Sequence, residues 1–109
     1  MEQKKKVYIA GPITGDPDYE RKFNAVEKEL TKRGYWAVNP ILGNDKRKDW
    51  TYKQYIDRGL NLLMCCDYIC ITDVWIRSKG LDVETAYAEA VGIPKLYAME
   101  SPSGEWSIE

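Results

Sequence analysis

A chain of 109 residues and 12.6 kDa has the mass of one domain, so a single site must carry whatever chemistry the protein performs. A 44% hydrophobic fraction and a net charge of −1, from 16 basic against 17 acidic residues, exclude a disordered chain and a broad electrostatic grip on nucleic acid. The absence of histidine removes Ser-His-Asp and Cys-His nucleophile systems and histidine-bearing zinc sites, leaving catalysis to carboxylates, tyrosines, hydroxyls or lysine. Cys65, Cys66 and Cys70 crowd into one short stretch, which suits neither a disulfide framework nor a zinc ribbon; they read as reduced, buried and structural. No apolar run approaches the ~20 residues of a membrane span, and the lysine-rich opening leads into only a short apolar stretch. The expectation is a cytoplasmic protein with no membrane or extended nucleic-acid partner.

Val7-Tyr8-Ile9-Ala10, rich in β-branched and aromatic residues, reads as a buried strand running into the tight loop Gly11-Pro12-Ile13-Thr14-Gly15. Asp16 before Pro17 then signals a helix start, Tyr19, Phe23, Val26 and Leu30 recur at helical spacing, and Gly34 supplies the stop. Trp36 to Asn39 forms a second strand ended by Pro40, and the aperiodic stretch from Ile41 to Trp50 is a long loop that suits either a lid or a solvated connection. Thr51 and Gln54 match a capping box for a second helix, with Tyr52, Tyr55, Ile56, Leu62, Leu63 and Cys66 expected on its inner face. Tyr68 to Thr72 is a third strand, Leu81 to Val91 a third helix closed by Gly92, and Lys95 to Met99 a fourth strand. The tail from about residue 100 is expected to be loosely ordered, although it offers a fifth strand.

Strand-helix alternation with near-continuous apolar strands predicts an α/β fold, flavodoxin-like or Rossmann-like. Its open parallel sheet would hold four or five strands in the order 2-1-3-4, with helices on both faces and right-handed crossovers. Such sheets bind ligands outside the carboxyl ends of their strands, where the strand order reverses. The loops at Gly11 to Gly15, Pro40 to Trp50 and Asp73 to Gly80 all meet that edge.

Gly11 and Gly15 would let backbone N–H groups approach an anion with a helix dipole behind them, or would simply make a turn; Pro12 and Thr14 share that loop. Ser78 and Gly80 precede a helix and can hold a phosphate, with Glu84 close by; alternatively Asp82 and Glu84 only complement the helix dipole, which favours their ionised form. Tyr8 is either a core residue or a phenol that hydrogen-bonds a carboxylate across the site. Trp50, Trp75 and Tyr97 can stack on a planar ring or fill the core.

The ordered set Val7-Tyr8-Ile9-Ala10-Gly11-Pro12-Ile13-Thr14-Gly15, Val38-Asn39-Pro40, Cys66-Asp67 and Trp75-x-x-Ser78-x-Gly80-x-x-x-Glu84 resembles a small bacterial and phage family, the domain-of-unknown-function 4406 family. That family is similar to the nucleoside 2-deoxyribosyltransferase superfamily, which includes 2'-deoxynucleoside 5'-phosphate N-hydrolases and cytidylate N-hydrolases. The resemblance runs from about Val7 to Met99 and implies one nucleoside 2-deoxyribosyltransferase-like domain over residues 1–109. It makes Glu84 the nucleophile at the anomeric carbon, with Tyr8 positioning it. Gly11, Pro12, Thr14, Gly15, Ser78 and Gly80 would hold substrate and phosphate, and Trp50, Trp75 and Asn39 would stack on the base or form a lid. Ser78 stands where transferases on free nucleosides carry an acid, and a carboxylate there would repel a phosphate.

One position departs from the superfamily. Its usual helix-two aspartate, which assists departure of the base, falls on Gly59; Asp57 lies roughly 160° around the helix on the polar side, and Asp73 is another acid that can serve. The expected function is an N-glycosidase that cleaves the base-sugar bond of a nucleoside 5'-monophosphate. The alternatives are a non-catalytic nucleotide-binding protein that senses or sequesters its ligand, which Gly59 favours, and a nucleoside 2-deoxyribosyltransferase. Neither metal nor cofactor is required. The expected partners are a small nucleotide or nucleoside and a second copy of the chain in a homodimer or higher homo-oligomer, with Trp106 as an interface anchor.

Overall fold

The computed structural model describes residues 4–13, 17–41, 51–73 and 78–109. Lys6–Ala10 forms β1, Tyr19–Lys32 α1, Trp36–Val38 β2, Tyr52–Leu63 α2 and Tyr68–Thr72 β3. Lys79–Val91 then forms α3, Lys95–Glu100 β4 and Trp106–Ile108 β5. The five strands make one sheet in the order β2-β1-β3-β4-β5, parallel except for the antiparallel β4-β5 pair. This is an α/β flavodoxin-like fold.

The apolar strands have their cause in the two covered faces. Alternate residues of β1 point opposite ways: Tyr8 and Ala10 join a core with Leu63 of α2 and Leu81 and Ala88 of α3, whereas Val7 and Ile9 join Phe23, Val26 and Leu30 of α1. Phe23, Val26 and Leu30 are buried at the helical spacing read in the sequence, and burial of the Phe23 ring alone stabilises by about 2 to 3 kcal/mol. Gly34 follows α1 at φ +91° and turns the chain into β2. Thr51 and Gln54 form the reciprocal capping box that opens α2, and Gly92 closes α3 in the left-handed conformation.

Three expectations change. The first helix begins at Tyr19 with Asp18 in the cap position, and the Asp18 carboxylate accepts from Arg21 instead of from a backbone N–H; the expected cap, Asp16, lies outside the described residues. Tyr55 is 45% exposed, because the inner seam of α2 runs through Gly59 and Leu63 with Leu60 packed beside them. The tail is not loose: Gly104 at φ +89° turns the chain back, the Glu105 carbonyl accepts from the Ser101 N–H, and β5 pairs Ile108, Ser107 and Trp106 with Ala98, Met99 and Glu100. Trp106 packs on the α1 side of the core and stays partly exposed. No helix among the described residues is long and apolar enough to cross a membrane.

Candidate active site

Three elements converge on one carboxyl group. Tyr8 leaves the middle of β1 toward the α2-α3 layer and is 2% exposed. Glu84 sits in the second turn of α3, with its carboxyl beside the Tyr8 phenol. Gly59 of α2 completes the contact: a Cβ there would lie 2.9 Å from Tyr8 Oη and 3.3 Å from Glu84 Oε2. The approach is too close for any side chain at position 59 unless the phenol or the carboxyl moves, so glycine here is demanded by packing rather than by backbone conformation.

Burial sets the electrostatics of the pair. Desolvation raises the Glu84 pKa to about 7, and the Tyr8 hydrogen bond opposes it. Helix position had suggested that α3 would favour the ionised form, but the dipole acts within the first turn and Glu84 lies beyond it, so desolvation wins. Tyr8 is held far above its ordinary pKa by burial and by the Glu84 charge, so the phenol stays a donor, while Arg58 on the neighbouring helix pulls weakly the other way. Glu84 Oε2 is buried, and among the described residues no hydrogen-bond donor reaches it. Such an atom costs about 1 to 3 kcal/mol when left unpaired.

The carboxyl edge of the sheet lies just beyond. Gly11 and Pro12 are buried as the chain leaves β1, and a Cβ on Gly11 would lie 2.0 Å from Thr72 Oγ1 at the end of β3. Asp73 follows at φ +46°, an uncommon conformation for a residue with a side chain, and its carboxylate receives Lys22 Nζ at 2.8 Å. Ser78 caps α3 in an extended conformation, yet its side chain makes no capping hydrogen bond. The α3 N-terminus therefore presents a hydroxyl that the helix does not use, and Gly80 stands in its first turn.

The model of the family described as a domain of unknown function, DUF4406, matches residues 5–97. The chain belongs to DUF4406. No curated protein matches the sequence. Among solved structures the fold is similar to that of a conserved protein from Enterococcus faecalis V583, at TM-score 0.68 and 22% identity, covering 93% of this chain and 66% of that one. It is also similar to the 2-desoxiribosyltransferase from Leishmania mexicana, at TM-score 0.66 and 22% identity over 89% of this chain and 65% of that one. A 2-deoxyribosyltransferase from the psychrotolerant bacterium Bacillus psychrosaccharolyticus matches at TM-score 0.67 and 14% identity, over 89% and 74% of the two chains. The DUF4406 chain thus spans about two thirds of the length of the first two of these structures, and it shares its fold with these 2-deoxyribosyltransferases.

In this DUF4406 member the other expected site residues are distributed unevenly. Thr14, Gly15, Trp50 and Trp75 lie outside the described residues. Asn39, expected to stack or to form a lid, spends its amide on α1, donating to Asn24 Oδ1 at 3.0 Å and Glu27 Oε1 at 2.9 Å, while its Oδ1 accepts from the Ile41 N–H. It braces the turn after β2. Asp57 is exposed and paired with Lys53, on the face of α2 away from Glu84, as its helical angle requires. Cys66 and Cys70 are buried free thiols, pushed up to about 11 and about 12 by desolvation, and Cys65 is exposed. Among the described residues no group of three His, Cys, Asp or Glu side chains gathers to hold a metal.

Sequence reasoning missed two features of this edge. Lys22 had only helical periodicity to mark it, and its position on the α1 face toward Asp73 follows from the i, i+4 step before the helix stripe at Val26. Arg58, whose guanidinium donates to the Pro40 carbonyl at 2.8 Å, ties α2 to the turn after β2 and carried no sequence signal. Surface hollows lie apart from the Tyr8–Glu84 pair: one of about 420 Å³ over Gln54, Asp57 and Arg58 on the outer side of α2, and one of about 740 Å³ along α1.

Proposed function

We propose that this chain is an N-glycosidase that cleaves the base-sugar bond of a nucleoside 5'-monophosphate through Glu84. The observation that carries the reading is a half-buried, desolvated carboxyl beside a tyrosine that cannot easily ionise, with one oxygen enclosed and without a donor among the described residues. A desolvated carboxylate is a stronger nucleophile than a hydrated one, and a covalent route splits glycosidic cleavage into two easier steps without any histidine. Glu84 attacks the anomeric carbon as the bond to the base breaks and the bond pair leaves with the base. Water then displaces Glu84 from the sugar.

Tyr8 holds one orientation of the carboxylate through both steps. Ser78 supports the choice of a 5'-phosphate, since its hydroxyl is not spent on the α3 cap and sits where helix N–H groups and the dipole favour an anion. Gly11 and Pro12 bring the end of β1 to the same edge, and Gly80 keeps the start of α3 open. The shared fold with enzymes named 2-deoxyribosyltransferases supports a nucleoside-processing activity of this general kind.

The test is chromatographic release of free base from a panel of ribo- and deoxyribonucleoside 5'-monophosphates and the matching nucleosides, with Glu84→Ala as control. Release that requires the 5'-phosphate and vanishes in the variant is expected. Release that survives in Glu84→Ala refutes the assignment. A second reading, a nucleotide-binding protein without turnover, is favoured by the glycine that faces the carboxyl, and it predicts saturable nucleotide binding with no product. Transfer of deoxyribose to an added acceptor base in excess of hydrolysis would instead assign a transferase.

A further inference from the structure

The position opposite Glu84 on α2 is a glycine whose Cβ direction points at the carboxyl, so the helix that packs closest brings no proton donor to the reacting centre. Among the described residues the other groups nearby do not supply one. The Tyr8 phenol is held far above its ordinary pKa, Asp57 lies on the outer face of α2 with Lys53, Asp73 is tied to Lys22, and Arg58 donates to the Pro40 carbonyl. Among the described residues, then, a nucleophile stands without an acid. A neutral purine or pyrimidine must be protonated as it departs, and a positioned acid typically contributes ~10² to 10⁴-fold to such a step.

We infer that the substrates of this site are nucleoside 5'-monophosphates whose base is already a cation, an N-quaternised purine or a pyridinium, because the Glu84–Tyr8–Gly59 arrangement provides attack without protonation. The inference rests on the N-glycosidase reading and narrows its substrate class. In the first step a Glu84 oxygen bonds to C1' as the C1'–N bond breaks. The bond pair cancels the positive charge on the ring, and the base leaves neutral with no proton supplied. In the second step water attacks C1', its hydroxyl stays on the sugar, its proton goes to solvent, and Glu84 is regenerated as a carboxylate.

Charge strengthens the match. A cationic base beside the desolvated carboxyl favours its ionised form, so the substrate itself prepares the nucleophile, whereas a neutral nucleotide leaves a share of Glu84 protonated near pH 7.

The test uses two pairs of probes that differ in charge and hardly in shape: 7-methylguanosine against guanosine 5'-monophosphate, and nicotinamide mononucleotide against its reduced, uncharged form. Base release is followed by chromatography. The expected kcat/KM favours the cationic member of at least one pair by ~10² or more, and Glu84→Gln loses that release. Guanosine 5'-monophosphate processed within tenfold of its methylated partner overturns the inference and leaves the N-glycosidase reading intact. Release from the cationic probes that persists in Glu84→Gln overturns it as well, since the carboxylate would not be the attacking group. No release from these probes or from ordinary nucleotides overturns both.

Discussion

Replacing Glu84 by glutamine should change how stability responds to pH, in a direction opposite to that of most carboxylates. Glu84 titrates near pH 7 in the folded chain against an ordinary value of 4.5. Between those values the native state keeps a proton that the unfolded state has released, so wild-type stability falls as pH rises through this window and levels off above it. Below the ordinary value both states are protonated and nothing is lost. A gap of about two and a half pH units at about 1.4 kcal/mol each amounts to about 3 to 4 kcal/mol, the free energy stored in holding the carboxylate in a dry site. Glutamine has the same shape, still offers Tyr8 an acceptor and never ionises. Urea midpoints measured for both proteins near pH 5 and near pH 8 should therefore show the variant gaining most of that amount relative to wild type at the higher pH. All other titrating groups are common to both and cancel in the difference. If the two proteins shift in parallel, Glu84 is not desolvated and the electrostatic basis of the site is wrong.

Tyr8→Phe removes the donor that lowers the Glu84 pKa, so the acidic limb of the pH–rate profile for base release should move to higher pH, and kcat/KM should drop ~10- to 100-fold, as expected for a lost hydrogen bond to a charged group; an unmoved profile would count against the contact. Gly59→Ala pushes a methyl group against Tyr8 Oη and Glu84 Oε2, and base release should fall at least ~10-fold as the pair is displaced, while overpacking of about 1 to 3 kcal/mol offsets the gain of about 1 kcal/mol in helix propensity, so the melting temperature should not rise. Full activity in that variant would show that the close approach of α2 is not functional. Lys22→Met strips Asp73 of its Lys22 partner in a setting where both side chains are largely buried, and chemical denaturation should record a loss of about 2 to 3 kcal/mol; an unchanged midpoint would make the pair incidental.

Local signals explain most of the fold. Thr51 and Gln54, Gly34 and Gly92, and the stripe Phe23-Val26-Leu30 act through neighbours in the chain, so their chemistry can be read without knowing what lies across the sheet. The tail shows the other case. Trp106 to Ile108 is too short to declare itself, and it becomes a strand because Ala98 to Glu100 offers it a partner and the α1 side offers the indole a place to pack. Pro102-Ser103-Gly104 between two apolar stretches was the available turn signal. At the site, the angle between Asp57 and Gly59 follows from helical geometry alone. The burial of Glu84 does not, because helix position says how far a residue stands from the N-terminus and nothing about what covers it. That is why dipole reasoning gave the wrong sign for its titration.

The two rims of the sheet have a further consequence. β2 and β5 are three residues each, so the unpaired backbone they leave is brief, and beside β2 the exposed Trp36 ring carries the Lys6 ammonium at 5.2 Å. Between them lie strands such as Tyr68-Ile69-Cys70-Ile71-Thr72, whose apolar, β-branched composition is that of segments that stack into fibrils when left open. The short rims therefore act as stops, denying a passing chain the length of edge needed to extend the ladder. The sheet edge open to another chain is thus confined to six residues at the margins, while the apolar interior strands lie between helices.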